Sequence, residues 1–349
     1  MFDLNNLIRD NIKILKPYSS ARHEFTGKAS VFLDANENPY GSPLPDKFNR
    51  YPDPLQWQLK FQIARIKGVP AENIFVGNGS DEVIDLAYRI FCTPGKDNVI
   101  VCPPTYGMYE VSGNINDVEI RKVNLTSDFQ LDVEGVMNAV DTNTKLIFIC
   151  SPNNPTGNNM RREDVEIILN NFSGIVIIDE AYINYSKQKT FIQELTEYPN
   201  LVVMQTLSKA WGLAALRLGL CYASMDIIDL FNKVKPPYNI NDASQLLALE
   251  ALQNADLVNE WITASVQQKE MLVKELSAFN FVEKIYPSDA NFFLMKVKDA
   301  SKLYDYLSEN EIVVRNRSKD PGCENCLRIT IGTPEENQQL LHLLTNYKM

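Results

Sequence analysis

Short apolar runs rich in β-branched residues recur between about residues 70 and 225, with polar turns and helix-like stretches between them. The runs lie at residues 73–77, 99–102, 145–150, 174–178 and 201–204. They lack polar alternation, and residues 81–91 have the apolar spacing of a helix. Such runs are typical of strands in a mostly parallel sheet that helices cover on both faces. We therefore predict an α/β fold.

The pattern changes after residue 238. A long helical stretch at about 243–278 is followed by strand-like segments at 291–297, 312–315 and 327–331 and by a final helix that begins near Thr333. We predict a large α/β domain at 41–238 and a smaller C-terminal α+β domain at 239–349. Residues 1–40 have no sheet of their own, and we expect this N-terminal segment to pack with the small domain.

Composition and charge exclude several classes of protein. The net charge of −10, the pI near 4.9 and the lack of any Lys/Arg-rich block argue against nucleic-acid binding. No apolar run approaches the roughly 18 residues of a membrane helix, and charges interrupt the N-terminus, so we predict a soluble, cytoplasmic protein with no membrane contact. The six cysteines lack a disulfide-framework spacing, and Cys323 and Cys326 have no further ligands nearby. We expect an ordinary turn there and no metal.

Polar residues follow each apolar run, and ligands of parallel sheets bind beyond the carboxyl ends of the strands. Lys209 follows the run at 201–204, which delivers its primary amine to a polar turn. This is the expected setting for a lysine that holds an aldehyde cofactor as a Schiff base. Thr206, Ser208 and Arg217, eight residues after the lysine, could bind the phosphate of such a cofactor.

Asp179 ends the run at 174–178 and, as a poorly solvated carboxylate, needs a cationic partner. The protonated pyridine nitrogen of pyridoxal phosphate would be one, although a helix cap or a metal-binding aspartate fits equally well. Tyr182 and Asn154 could donate hydrogen bonds to the phenolic oxygen of the cofactor. The alternatives are a buried tyrosine with a satisfied hydroxyl and an Asx turn before Pro155.

Ser80 and Asp81 open a predicted helix, whose free N–H groups and dipole suit a phosphate. Ser80 could instead be a simple helix cap, and Asp81 would contribute through its backbone N–H because its carboxylate repels an anion. Tyr106 could stack on the pyridine ring or be an ordinary core tyrosine. Taken together, five strand ends supply groups that one cofactor requires.

With these residues the chain resembles the fold-type I pyridoxal-phosphate aminotransferases, and most closely the histidinol-phosphate aminotransferases among them. The resemblance covers nearly the whole chain and rests on KPYSSAR at 16–22, LDANENP at 33–39, RYPD at 50–53, GNGSDE at 77–82, PPTYGMY at 103–109, SPNNPTG at 151–157, DEAY at 179–182, SKA at 208–210 and LRITIG at 327–332. The lysine, aspartate and asparagine motifs are shared across the fold type, and the terminal motifs point to the subgroup.

The resemblance implies a catalytic set of Lys209, Asp179 and Tyr182, with pyridoxal phosphate held by Ser80, Asp81, Tyr106, Asn154, Asp179, Tyr182, Thr206, Ser208, Lys209 and Arg217. Tyr51 would reach the cofactor phosphate of a partner subunit, which implies a homodimer with composite sites. Without the resemblance Tyr51 would be interpreted as an exposed loop tyrosine. Some family members carry alanine at the position of Ser80, which affects only a contact from its hydroxyl.

The implied reaction is a ping-pong transfer of an amino group between glutamate and imidazole-acetol phosphate, which yields 2-oxoglutarate and histidinol phosphate. One anion site must then accept both a carboxylate and a phosphate ester. A guanidinium binds either through two N–H donors, so Arg328 is our first choice, with Arg315 assisting. Arg328 could instead form a structural ion pair. Tyr18 and Asn291 are expected to line the substrate pocket.

Other functions on the same scaffold stay open at this point. An aromatic aminotransferase or a decarboxylase of a phosphorylated amino acid would use the same cofactor residues. A non-catalytic regulator with this fold usually carries an N-terminal DNA-binding domain, for which the roughly 30 residues before Leu33 leave too little room. A binding module that holds the cofactor without turnover is disfavoured by the presence of both Lys209 and Arg328.

Overall fold

The computed structural model describes residues 2–18, 30–44 and 48–348 of the chain. The strands are β1 Ile74–Asn78, β2 Asn98–Val101, β3 Glu119–Lys122, β4 Thr144–Cys150, β5 Ile175–Asp179, β6 Leu201–Thr206, β7 Leu218–Tyr222, β8 Val282–Ile285, β9 Phe292–Val297, β10 Arg315–Asn316 and β11 Cys326–Thr330. The α-helices are α1 Leu4–Leu7, α2 Asp10–Lys13, α3 Trp57–Lys67, α4 Ser80–Phe91, α5 Met108–Ile115, α6 Val133–Ala139, α7 Arg162–Asn171, α8 Met225–Val234, α9 Asp242–Ala251, α10 Ala255–Leu276, α11 Ala300–Glu309 and α12 Pro334–Thr345.

The large sheet has seven strands in the order β1-β7-β6-β5-β4-β2-β3. Strand β7 runs antiparallel to both of its neighbours, and the remaining pairs are parallel. The predicted α/β class with a mostly parallel sheet is therefore confirmed. The register pairs Cys150 with Asp179 and Asp179 with Met204, so the carboxyl ends of β4, β5 and β6 meet at one edge.

Both faces of this sheet are buried, which explains why its strands are apolar without alternation. In β5, Ile175 and Ile177 pack in a cluster with α4 and α8, while Val176 and Ile178 pack in a second cluster with α7 on the other face. The twofold alternation of a strand sends successive side chains to opposite layers, and here each layer is apolar. The result is a three-layer arrangement with the sheet in the middle.

A second, antiparallel sheet has the order β10-β11-β9-β8 and belongs to the smaller α+β part. Its core combines Phe293, Met295 and Leu327 of the strands with residues of α10, α11 and α12. Thr333 caps α12 through a capping box with Glu336, which explains why the helix begins there. Within the described residues, no helix has the length and apolarity needed to cross a membrane.

The N-terminal helices do not pack where we expected. Leu7, Ile8 and Ile12 join the core cluster of α4 and α8 on the large sheet, and the Arg9 guanidinium donates to the carbonyl of Arg89 at 2.9 Å. The expectation that residues 1–40 pack with the small domain is therefore wrong for residues 4–13. Their apolar side chains cover an apolar helix face of the large part, and sequence periodicity does not say which face is available. The boundary at residue 238 stays a prediction.

Candidate active site

A cavity of about 240 Å³ opens where β4, β5 and β6 end. It is lined by Ser80, Asp81, Tyr106, Cys150, Asn154, Asp179, Ala181, Tyr182, Thr206, Ser208, Lys209, Arg217 and Arg328. Eleven of these residues were singled out from the sequence. All of them except Arg217 and Arg328 lie at or after the carboxyl ends of parallel strands, which bring them together as expected. A larger cavity of about 470 Å³ beside Trp57 and Lys60 lies away from these strand ends, and we place the site in the smaller one.

The amine of Lys209 lies 5.6 Å from the centre of the Tyr182 ring. The residue as a whole is exposed, but its amine lines the cavity. Desolvation there lowers the pKa of Lys209, and the positive charge of Arg328 lowers it further, while the Asp179 carboxylate acts in the opposite direction. The amine therefore gives up its proton more readily than a solvated lysine does.

Asp179 is 4% exposed and accepts two hydrogen bonds. The Tyr109 hydroxyl donates to Oδ2 at 2.7 Å, and the backbone N–H of Ala181 donates to Oδ1 at 3.0 Å. Burial raises the pKa of Asp179, and the two donors and the Lys209 charge oppose that rise. A buried acid of this kind suits a cationic partner inside the cavity.

The start of α4 forms an electropositive corner of the cavity. Gly79 precedes the helix with φ 74° and ψ 166°, and its own N–H bonds to the Arg217 carbonyl at 2.6 Å. The Arg217 guanidinium lies beside this turn and contacts Asp81 Oδ2 at 3.4 Å, while the Tyr106 hydroxyl donates to Asp81 Oδ1 at 3.0 Å. First-turn N–H groups, a guanidinium and the nearby Ser208 suit a phosphate.

Arg328 approaches from the other sheet. It lies on β11, its Nη1 donates to Asn154 Oδ1 at 2.5 Å, and its guanidinium lies 5.3 Å from the centre of the Phe292 ring. Burial lowers its pKa. Within the part of the chain that the structure describes, its Nε is buried without a hydrogen-bond partner and no carboxylate pairs with it. The structural ion pair considered from the sequence is absent there, which leaves the guanidinium for an external anion.

Four predicted residues lie outside the cavity lining. Tyr51 is half-exposed and stacks on Tyr238 with ring centres 4.5 Å apart, and Tyr18 lines the larger cavity. Arg315 is exposed on β10 opposite Arg328, and Asn291 offers its backbone carbonyl to Ile331. Residues 19–22 of the N-terminal motif lie outside the described residues. These substrate and partner roles stay predictions.

Besides Ala181, two residues at the site were not assigned a role from the sequence. Tyr109 supports Asp179 from behind the cavity, and Cys150 ends β4 next to Asp179 in register. The signal for Cys150 was its place as the last residue of an apolar run. The signal for Tyr109 was its spacing of three residues from Tyr106, although only Tyr109 lies in α5. Burial raises the pKa of Cys150, so its thiol stays protonated. Among the described residues, no group of His, Cys, Asp and Glu side chains is arranged to hold a metal ion.

Comparison with known proteins gives consistent results. A family model described as aminotransferase class I and II matches residues 34–344. The histidinol-phosphate aminotransferase of Cytophaga hutchinsonii is 56% identical over 346 residues, 99% of either chain, and that of Parabacteroides distasonis is 53% identical over 349 residues, 100% of either chain. The structure of histidinol-phosphate aminotransferase from Sinorhizobium meliloti in complex with pyridoxal-5'-phosphate covers 89% of this chain and 90% of its own, with a TM-score of 0.78 at 24% identity, a likeness of fold alone.

Proposed function

The chain belongs to the aminotransferase class I and II family, and we propose that it is a histidinol-phosphate aminotransferase dependent on pyridoxal phosphate. It would move an amino group between glutamate or 2-oxoglutarate and histidinol phosphate or imidazole-acetol phosphate, a step of histidine biosynthesis. The observation that carries the proposal is the meeting of the Lys209 amine, the buried Asp179 carboxylate and the Arg328 guanidinium around one cavity.

The residues of the cavity fit pyridoxal phosphate. The glycine turn before α4 leaves room for an anion beside the Arg217 guanidinium, since a Cβ on Gly79 would come within 2.7 Å of Arg217 Nη2. At the opposite side, Asp179 is buried and carries no ion pair shorter than 4.0 Å among the described residues, so a protonated ring nitrogen would complete its charge balance. Tyr106 supplies an aromatic face between these two ends.

When bound, pyridoxal phosphate supplies an aldehyde and an electron-poor ring that stabilises negative charge beside the substrate Cα. In our proposal Lys209 Nζ takes the Cα proton of an amino-acid substrate and returns it during the transfer. Its lowered pKa supports this role, because a general base must be partly neutral at the working pH. Asp179 would hold the ring nitrogen by an ion pair, which would keep the ring electron-poor.

The substrate anion would bind Arg328. Its hydrogen bond to Asn154 Oδ1 fixes the side-chain amide and leaves the amide Nδ2 as a donor for the phenolic oxygen of the cofactor. Burial of the guanidinium next to Phe292 strengthens its attraction for a carboxylate or a phosphate ester, because little water competes. Arg315 opposite Arg328 adds positive charge to this side.

We also propose a cytoplasmic homodimer. All six cysteines are free, which fits a reducing compartment. Large apolar side chains are exposed near Tyr51, including Leu33 at 90% and Tyr40 at 98%, and a partner subunit would cover such a surface. In that arrangement Tyr51 serves the cofactor site of the partner.

The test is turnover by purified protein loaded with pyridoxal phosphate, offered histidinol phosphate, phenylalanine or threonine phosphate together with 2-oxoglutarate. We expect ping-pong kinetics with histidinol phosphate as the preferred donor. Lys209→Ala should abolish turnover, and Lys187→Ala, at an exposed lysine outside the cavity, should leave it unchanged. Preference for phenylalanine, or release of carbon dioxide from threonine phosphate, would instead identify one of the rival enzymes.

A further inference from the structure

Tyr109 has a fixed hydroxyl behind the cavity. It lies in the first turn of α5 and is 0% exposed. Its ring stacks on Phe148 with centres 4.8 Å apart at 14°, and the Tyr106 ring meets it edge-on at 5.6 Å. Packing on two sides fixes the position of the phenolic oxygen, and from there the O–H donates to Asp179 Oδ2 at 2.7 Å.

This hydrogen bond matters because Asp179 is buried. Burial favours the neutral acid and raises the pKa of Asp179, whereas each donor to the carboxylate favours the ionised form. Burial also raises the pKa of the Tyr109 phenol well above its ordinary value, and the Asp179 charge raises it further. The phenol therefore keeps its proton at any physiological pH and remains a donor.

We propose that Tyr109 is a positioning residue that keeps Asp179 ionised and aimed at the ring nitrogen of the cofactor. The proposal rests on the proposed function, since it needs pyridoxal phosphate in the cavity. The carboxylate uses one lone pair of Oδ2 for Tyr109 and one of Oδ1 for the Ala181 N–H, and its remaining acceptor capacity is available to a pyridinium N–H.

The chain offers a matched control for a purely packing role. Tyr88 is also 0% exposed, its ring lies 5.6 Å from that of Phe148, and its hydroxyl donates to the backbone carbonyl of Tyr109 at 2.7 Å. Tyr88→Phe removes a buried phenolic hydroxyl from the same aromatic cluster without touching Asp179. Tyr109→Phe removes the one that Asp179 uses.

The experiment compares the affinity of the cofactor-free protein for pyridoxal phosphate and for its deaza analogue, in which a C–H replaces the ring nitrogen. Both ligands carry the same aldehyde and phosphate, so only the ring nitrogen distinguishes them. We expect wild type to prefer pyridoxal phosphate, Tyr109→Phe to lower that preference about tenfold, and Tyr88→Phe to retain it. If Tyr109→Phe lowers the affinity for both ligands equally, or for neither, the inference is wrong.

Asp179→Asn separates this inference from the proposed function. If wild type and Asp179→Asn bind the two ligands alike, the ring-nitrogen contact itself is absent and the proposed function loses its support. If Asp179→Asn loses the preference and Tyr109→Phe keeps it, only the role of Tyr109 is refuted. Should Tyr109→Phe not fold, 3-fluorotyrosine at position 109 keeps the size and strengthens the donor. It must then raise the preference, and an unchanged preference overturns the inference.

Discussion

Replacing Gly79 with alanine tests the electropositive corner of the site. Gly79 has φ 74° and ψ 166°, a backbone region that is essentially restricted to glycine. A Cβ at this position would lie 2.7 Å from Arg217 Nη2. Because that atom is the end of a flexible side chain, we expect the guanidinium to move away and the backbone to stay strained.

The two effects have separate magnitudes. The strained backbone should lower the free energy of unfolding by about 1–3 kcal/mol. If Arg217 binds the cofactor phosphate as we propose, displacing its guanidinium should remove charge-assisted hydrogen bonds worth about 1.5–3 kcal/mol each, which corresponds to roughly tenfold to a hundredfold in cofactor affinity. The loss of stability should appear in the cofactor-free protein. The loss of affinity should appear only when binding of the cofactor is measured.

The assay is urea unfolding of the cofactor-free protein together with equilibrium binding of pyridoxal phosphate. Gly107→Ala is the control, since Gly107 has φ −66° and ψ −18° and a Cβ there meets nothing within 4 Å. It should leave both quantities unchanged or raise stability by roughly 0.4–1 kcal/mol. If Gly79→Ala unfolds and binds like wild type, the assignment of this turn to the phosphate is refuted.

Burial and the charge of Lys235 lower the pKa of Lys60 from 10.5 to about 8, so the folded state binds fewer protons than the unfolded state between these values. As the pH increases through that window, Lys60 should raise the free energy of unfolding measured in urea by up to about 3 kcal/mol. Lys60→Met should remove this part of the rise and leave the part that comes from Lys235, whose pKa is also lowered to about 8. Arg328→Lys keeps the charge but loses the planar pair of N–H donors of the guanidinium, so steady-state kinetics should show KM for histidinol phosphate raised about tenfold. An equal loss of cofactor affinity would contradict the substrate role of Arg328. Mixing Tyr51→Ala with Lys209→Ala subunits should restore roughly a quarter of wild-type activity, because about half of the dimers are mixed and each mixed dimer has one intact site of two. No recovery would show that Tyr51 does not serve a partner site.

The apolar runs predicted β4, β5 and β6 well because these strands are buried on both faces. The run at 174–178 matches β5 within a residue, and Asp179 then closes the strand at the cavity edge. Two strands of the large sheet were missed, as was β8 of the small sheet. Strand β3 is a half-exposed edge strand with the sequence EIRK, and β7 inserts antiparallel between β1 and β6. Pairing order is set by distant segments, so local sequence does not reveal it.

The cavity residues were predictable for the same reason, since parallel strand ends meet at one edge without further information. The directions of the side chains within the site were not predictable. Tyr109 and Tyr106 lie one turn apart, and only the three-dimensional packing shows that one hydroxyl meets Asp179 and the other Asp81. The prediction of where the N-terminal helices pack was wrong for a related reason, because their apolar residues fit more than one exposed face.

Contacts outside the cavity join its small-sheet side to its large-sheet side. Arg328 belongs to the small sheet, and its partner Asn154 belongs to a loop of the large one. Close by, the Asp289 N–H donates to the Gly157 carbonyl at 2.7 Å, and Lys269 of α10, 8% exposed, donates to the Ser288 and Ala290 carbonyls at 2.7 and 2.8 Å. These bonds join α10 to the residues just before β9, and those residues to the Asn154 loop. Because buried backbone groups need their partners, these bonds oppose widening of the cavity on this side.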